Sequence, residues 1–417
     1  WLQIRKKFSE EESMHPWRRL GQPLAGVCLL VAMTACGDSS GPSTPPVLNS
    51  PGTVAQEVGT LSAPFQQVGP LSSFGALTSA INFGALPSPP ALDRMRALLV
   101  ASAPRNPGAA HGQSYYLART QYAKQLAHLV PSVLSAPRVG ANAAIIPAPY
   151  LGATYEWDAT AHAYANLGTL GGPAGGVRFI VYPIDPNTNA PDEANLTEIA
   201  RLDLTDLNPA GLTAAGLNIK LYEGGTTYVD YDVAATVNVA AQSFTATSIG
   251  YVTDGTARLD FHAAITASAT SVTVDISKFS LDSDGDAVAD ASATIHETVT
   301  INAPQQTATI AFLFTFQGSG QSVSAGGTVD AATVQQVTTL TLDIVMKVGG
   351  ETYATLTGTF ASPVLKDYKG QPITDAPIQQ ALGGVFEAAG AVGDEVANIS
   401  APALDLLPGG HTVSPGF

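Results

Sequence analysis

The feature that most constrains this chain is a period of two. From about residue 150 to 365, apolar and polar side chains alternate in run after run, as strands do when one face is buried and the other is wet. Thr154-Tyr155-Glu156-Trp157 and Ala161-His162-Ala163-Tyr164 flank a turn and predict a hairpin. In residues 176–184, Val177, Phe179 and Val181 share one side, and Arg178, Ile180 and Tyr182 share the other. Leu217, Ile219 and Leu221 alternate up to Gly224-Gly225. The chain then returns through Thr227, Val229, Tyr231 and Val233, opposed by Tyr228, Asp230 and Asp232.

Asp254-Gly255, between two alternating runs, predicts a two-residue hairpin with both central residues at positive φ. After it, Leu259, Phe261, Ala263 and Ile265 face away from Arg258, Asp260 and His262. The pattern continues through residues 272–276, 294–301, 307–316, 340–348 and 353–360. Long one-sided strands joined by tight turns imply an antiparallel meander. A sheet of that length must twist and curl, so an open barrel or a sandwich is expected.

Helical periodicity frames the strands. Residues 92–101 put Leu92, Met95, Leu98 and Leu99 on one stripe. Ser114 is a candidate N-cap for a helix with Leu117, Tyr122, Leu126 and Leu129 on its apolar side, ending at Pro131. Asp375, with Pro377 in the first turn, opens a last helix striped by Ile378, Leu382, Val385, Phe386 and Ala389. The fold class is therefore mainly β (α+β): a curled antiparallel meander over 141–365, a helical region over 61–140, and a C-terminal helix with a loose tail over 366–417.

Composition narrows the functions. Hydrophobic residues make up 45% of the chain and charged residues 13%, which allows a sizeable core. A formal net charge of −15 argues against nucleic acid, which needs clustered Lys and Arg. It argues equally against electrostatic docking on anionic head groups.

The address is written near the start. From Met14 the chain reads Arg18-Arg19, a short apolar run over residues 24–32, then Met33-Thr34-Ala35-Cys36. A basic start, a short apolar core and small residues before a cleavage point mark a secretory signal. The run is too short for a comfortable membrane-spanning helix, which needs about 20 apolar residues. Met33-Thr34-Ala35-Cys36 resembles the lipobox of bacterial lipoprotein precursors. That resemblance implies cleavage before Cys36, acylation of its thiol, and attachment through several acyl chains. Met33 stands where leucine is usual. Gly37 follows the cysteine and the acid comes only at Asp38, which by the same resemblance leans toward the outer membrane.

Residues 1–13 read as upstream of the natural start, 14–35 as the signal and 36–60 as a Ser/Gly/Pro tether. With Cys28 in the signal and Cys36 acylated, no disulfide is expected.

The sharpest motif in the body is Asp282-Ser283-Asp284-Gly285-Asp286-Ala287-Val288-Ala289-Asp290. Asp282, Asp284, Asp286 and Asp290 fall at the first, third, fifth and ninth places of an EF-hand-type or thrombospondin-type calcium loop. Such loops collect hard oxygen ligands around calcium, and here the Val288 carbonyl would add one. Ala287 replaces the usual glycine and Ala293 the bidentate Glu. A solvated turn explains the same residues.

Other candidates are weaker. His262 shares a face with Asp260 and Arg258, which alternation alone produces, and no nucleophile motif accompanies them. His296-Glu297 begins like a zinc-helix motif, but Thr300 stands in the place of the second His. Glu156 and Asp158 could pair, yet an exposed hairpin explains them. The glycines of 171–176 lack the Lys-Ser/Thr of a phosphate loop.

The expected protein is thus an envelope lipoprotein, membrane-held through its N-terminal lipid, that binds or builds. An apolar small molecule such as a lipid, or another envelope protein, is the expected partner. The alternatives are an extracytoplasmic enzyme with a site assembled from distant loops, and an outer-membrane barrel component.

Overall fold

The computed structural model describes residues 113–134, 146, 148–188, 190–207, 214–318, 320–334, 337–375, 379 and 392. Cys36, the tether and the helix expected at residues 92–101 lie outside them. So does the last helix, except Gln379 and Val392, both helical.

The protein is mostly β. Its first strands are β1 (Ala153–Asp158), β2 (Ala163–Leu170), β3 (Gly176–Val181), β4 (Ile184–Asp185), β5 (Ala190–Pro191) and β6 (Ala200–Asp206). Longer strands follow: β7 (Ala214–Glu223), β8 (Thr226–Asn238), β9 (Ser243–Thr253), β10 (Arg258–Ser268), β11 (Ser271–Asp282) and β12 (Ala291–Asn302). The last are β13 (Thr307–Gly318), β14 (Gln321–Val334), β15 (Val337–Val348), β16 (Glu351–Thr359) and β17 (Ser362–Asp367). Fifteen of them form one sheet in the order β17 to β6 consecutively, then β3, β1 and β2. From β6 to β17 every strand pairs antiparallel with its sequence neighbour. The one parallel pair is β1 with β3, so the sheet is mixed rather than wholly antiparallel. Its ends, β2 and β17, do not meet, and the described strands form an open sheet, not a closed barrel.

Alternation explains the layering. On β12, Ala293, Ile295, Glu297 and Val299 are buried while Thr294, His296 and Thr300 are exposed. Through the register, Ala293, Phe316 and Val323 follow one another across β12 to β14, as do Val299, Ile310, Val329 and Leu342 across β12 to β15. The buried residues of these strands thus share one face, here the inner face. Two clusters divide it along the strands. One runs from Val177, Phe179 and Leu202 through Tyr231, Phe261, Phe279, Phe314 and Met346. The other gathers Phe244, Val272, Val299, Ile310, Val329 and Leu342 under the helix α1 (Gln113–Leu134).

The stripe that α1 buries is Thr120, Ala123, Leu126, Ala127 and Val130, at helical spacing. Of the expected stripe, Leu126 is buried and Leu117 and Tyr122 are half-buried against the same cluster, while Lys124, Gln125 and His128 face solvent. The helix begins at Gln113, which puts Ser114 inside its first turn, and it continues past Pro131 to Leu134. Proline there forfeits the backbone bond to the Ala127 carbonyl and crowds it, a cost confined to the last turn.

Local devices bend the sheet. On β11 the inward residues Val272 and Ile276 have even numbers, but Phe279 and Leu281 have odd ones. A bulge between Ile276 and Phe279 absorbs the change, so both sets stay inside. Gly250 lies between Tyr231 of β8 and Phe261 of β10, whose rings meet edge to face at 5.6 Å. A Cβ on Gly250 would overlap the Asp230 carbonyl and Tyr231. Gly327, opposite Phe312, would likewise collide with the Asp343 carbonyl. Glycines that let neighbouring backbone close in, with aromatics beside them, are a known means of coiling a sheet.

The tip between β9 and β10 corrects an expectation. It spans four residues, 254–257, and not two. Asp254 Oδ1 accepts the N–H groups of Thr256 and Ala257, each at 2.8 Å, and of these four residues only Gly255 has positive φ. The aspartate side chain replaces a turn hydrogen bond, which lengthens the loop.

Candidate functional site

Two groups of charged side chains stand apart from ordinary surface residues: the aspartate loop between β11 and β12, and an ion pair beneath α1.

The loop folds on its own carboxylates. Asp282 Oδ1 accepts the Gly285 N–H at 2.8 Å, and its Oδ2 accepts that of Ala287 at 2.9 Å. Asp284 Oδ1 accepts from Asp286 at 3.2 Å, and Asp286 Oδ1 from Val288 at 2.8 Å. Asp290 Oδ2 accepts the Ser283 N–H at 2.7 Å and the Ser283 hydroxyl; these bonds hold its carboxyl below the ordinary range. The Asp290 N–H closes the loop on the Leu281 carbonyl at 2.8 Å.

Carboxylate oxygens of Asp282, Asp284 and Asp290 converge within 4.8 Å of one another. Asp286, the fourth expected ligand, is outside that group. Ala293 is no substitute for the twelfth-place Glu, because it faces the core at 1% exposure. Ala287 nevertheless has φ +68°, the left-handed conformation for which such loops use glycine. The three converging carboxylates suit a hard cation such as calcium, with fewer protein ligands than a full EF-hand supplies.

The ion pair is of another kind. Glu297 keeps the phase of Ile295 and Val299, so alternation drives its carboxylate into the apolar face. By register it lies between Val274 of β11 and Phe312 of β13. Arg119 comes down from α1, its Nε 3.1 Å from Glu297 Oε1, with side-chain exposures of 14% and 8%. Desolvating two charges costs several kcal/mol per ion, offset only by a well-placed partner. The period-two pattern carries the signal for Glu297, a charge in an apolar phase, but nothing in the sequence names Arg119 as its partner.

The remaining candidates disperse. Asp260 lies between two cations, Arg258 Nη2 at 2.9 Å and Lys278 Nζ at 3.6 Å, while His262 stands across from Ile249 and Lys278. His296 Nδ1 is 3.2 Å from Asp275 Oδ1 on the neighbouring strand, an exposed cross-strand pair. Asp158 Oδ1 caps the Thr160 and Ala161 N–H groups in its hairpin, and Glu156 accepts from Thr169.

A cluster not singled out by the sequence lies at the β1–β3 end. Glu193 Oε1 accepts from Trp157 Nε1 at 2.9 Å and meets His162 Nδ1 at 2.7 Å. The two bonds, Trp157 first, lower its pKa. Burial pushes the neighbouring Tyr164 phenol up, and its hydroxyl donates to the Ile180 carbonyl at 2.8 Å. On the outer face, Arg178 grips Asp203 through Nε and Nη2 at 2.7 and 2.8 Å. Thr236, Thr245, Thr266, Thr273 and Thr298 form one row across five strands.

No protein-family model matches the chain, and no curated protein or solved structure is detectably similar to it.

Proposed function

We propose that this chain is a lipid-anchored protein of the cell envelope, held through Cys36 at the outer membrane, whose β body serves as a binding or structural scaffold. The observation that carries the scaffold reading is the filling of the inner face. Phe179, Phe261, Phe279, Phe314 and Phe316 are at most 1% exposed, and α1 seals the other end of the same face with Ala123, Leu126 and Val130. Arg119 and Glu297 fix that seal. The anchor reading is supported by Met33-Thr34-Ala35-Cys36 and the Ser/Gly/Pro stretch that follows.

The test is metabolic labelling with an alkyne analogue of palmitate. Wild-type chain takes the label and sediments with membranes; Cys36→Ser loses both. A Cys36→Ser chain labelled as brightly as wild type overturns the anchor.

An apolar-ligand role finds support in one place. Between the two clusters, Ala263, Ile265, Val274, Phe312 and Leu356 are only half-buried. An acyl chain at that waist would lie beside the Arg119–Glu297 pair, and a saturable rise in the fluorescence of an environment-sensitive naphthylamine dye would favour it over a pure scaffold. The outer face, with Arg178, Asp203, Lys220 and Asp230, has the opposite character to the lipid-facing side of a membrane barrel.

Calcium remains a proposal in reduced form. It would bind weakly and structurally at Asp282, Asp284 and Asp290, with Asp286 outside the ligand set, and a melting-temperature rise with calcium but not magnesium would support it.

A further inference from the structure

The two ends of the sheet differ in charge. At one end the connections β8–β9 (239–242), β10–β11 (269–270) and β12–β13 (303–306) contain no Asp, Glu, Lys or Arg, and neither does the sequence joining β14 to β15, whose residues 335–336 lie outside the described ones. Their sequences are Val-Ala-Ala-Gln, Ala-Thr, Ala-Pro-Gln-Gln and Gln-Gln. The register places these tips side by side in steps: Asn238, Ser243, Ser268, Ser271, Thr300, Thr309 and Asp330 follow one row across the strands, Asn302 stands two residues beyond it and Val334 four. From this rim Val239, Val334 and Val337 project at 45%, 68% and 67% exposure. At the other end stand Glu223, Asp254, Asp282, Asp284, Asp286, Asp290 and Glu351, with Arg258, Lys347 and Lys369 as cations beside them. The connections of one rim are uncharged and tipped with valine, with Asp330 the nearest acid on the strands behind them; those of the other are acidic.

We infer that the uncharged rim is a membrane-facing surface: it rests against the lipid head groups of the bilayer to which Cys36 is anchored and points the acidic rim away. This rests on the anchor reading above. An uncharged rim enters the interfacial region without stripping water from any ion, the costly step for the opposite rim. Anionic lipid repels the acidic rim over about a Debye length, roughly 8–10 Å at ordinary salt. Three valines are a weak anchor by themselves. Acylation changes what they must do, because a tethered surface meets the bilayer at an effective concentration on the order of millimolar. A small difference between the rims then selects one orientation.

The test uses the acylated full chain on vesicles of phosphatidylethanolamine with a minority of phosphatidylglycerol. Processing removes Cys28 and acylation occupies Cys36, so one introduced cysteine is the only free thiol. A polarity-sensitive fluorophore is placed at Val239→Cys, Val334→Cys or Val337→Cys, and on the acidic rim at Thr256→Cys. Lipid-borne bromine quenchers should quench the three rim positions several-fold more than position 256, with emission shifted to the blue. Equal quenching at both rims, or more at 256, overturns the inference. So does self-quenching between rim labels that ignores the lipid-borne quencher, since that marks contact with a second copy. Flotation and the mass of the Cys36 peptide separate the two failures. A chain that is neither acylated nor floating defeats the anchor reading and this inference together. A chain that floats with its rim labels in water defeats this inference alone.

Discussion

Ala287 is held at φ +68° by the Asp282 carboxylate, which accepts its N–H, and by the hydrogen-bonded turn that follows. A side chain in that conformation costs roughly 1–2 kcal/mol, which glycine avoids while losing part of the gain to chain entropy. Ala287→Gly should therefore raise unfolding stability by about 0.5–1 kcal/mol, read as a higher urea midpoint. A lower midpoint would mean that the loop does not impose this conformation. Glu193 supports a pH prediction. Its folded pKa lies below the ordinary 4.5, so its two hydrogen bonds contribute fully above that value and are lost as pH falls through the lower folded one. Trp157 is the one tryptophan after Cys36, so its emission should step below pH 4.5. Glu193→Gln should abolish that step; a step surviving in the variant would assign it to another group. The aspartate loop was legible from spacing alone, and three of its four carboxylates, Asp282, Asp284 and Asp290, stand together. The Glu193 cluster was not, because Glu193, Trp157 and His162 meet only through the fold.

Between elements, the telling contact is the one that seats α1. Removing one partner of a buried ion pair leaves the other uncompensated. Glu297→Ala should cost about 3–5 kcal/mol, and Arg119→Met about as much. The double variant Arg119→Met with Glu297→Leu should recover most of that loss in urea unfolding, because an apolar pair suits this face. Single variants that each cost under about 1 kcal/mol would mean that solvent reaches the pair. Strands were the most readable elements: β1, β7, β8, β10, β13 and β15 follow their apolar phases, while β3 also buries Ile180, and Tyr182 just beyond it, on its other side. β14 escapes that rule because Ser324, Ala325, Gly326, Gly327, Ala331 and Ala332 supply little apolar contrast. Its burial comes from Phe314, Phe316 and Leu342 on the strands beside it. β17 escapes because Pro363 and Lys366 make it an edge.

For the whole molecule, an open sheet must deal with two edges. β17 carries Pro363 and Lys366, and the chain folds back so that Ile373 donates to the Leu365 carbonyl at 3.0 Å. β2 is interrupted at Gly168, whose N–H turns to the Asn166 side chain at 2.9 Å instead of toward a further strand. Neither device was visible in advance, since edges exist only once the strand order is known. The same is true of the contrast between the rims, which appears when four distant loops become neighbours.

The strand order also has a consequence in time. From β7 onward each strand adheres to the one made just before it, so nothing waits for a partner far along the chain. A polypeptide delivered end-first through a narrow passage could zip up strand by strand as it arrives, exposing a single fresh border at any moment.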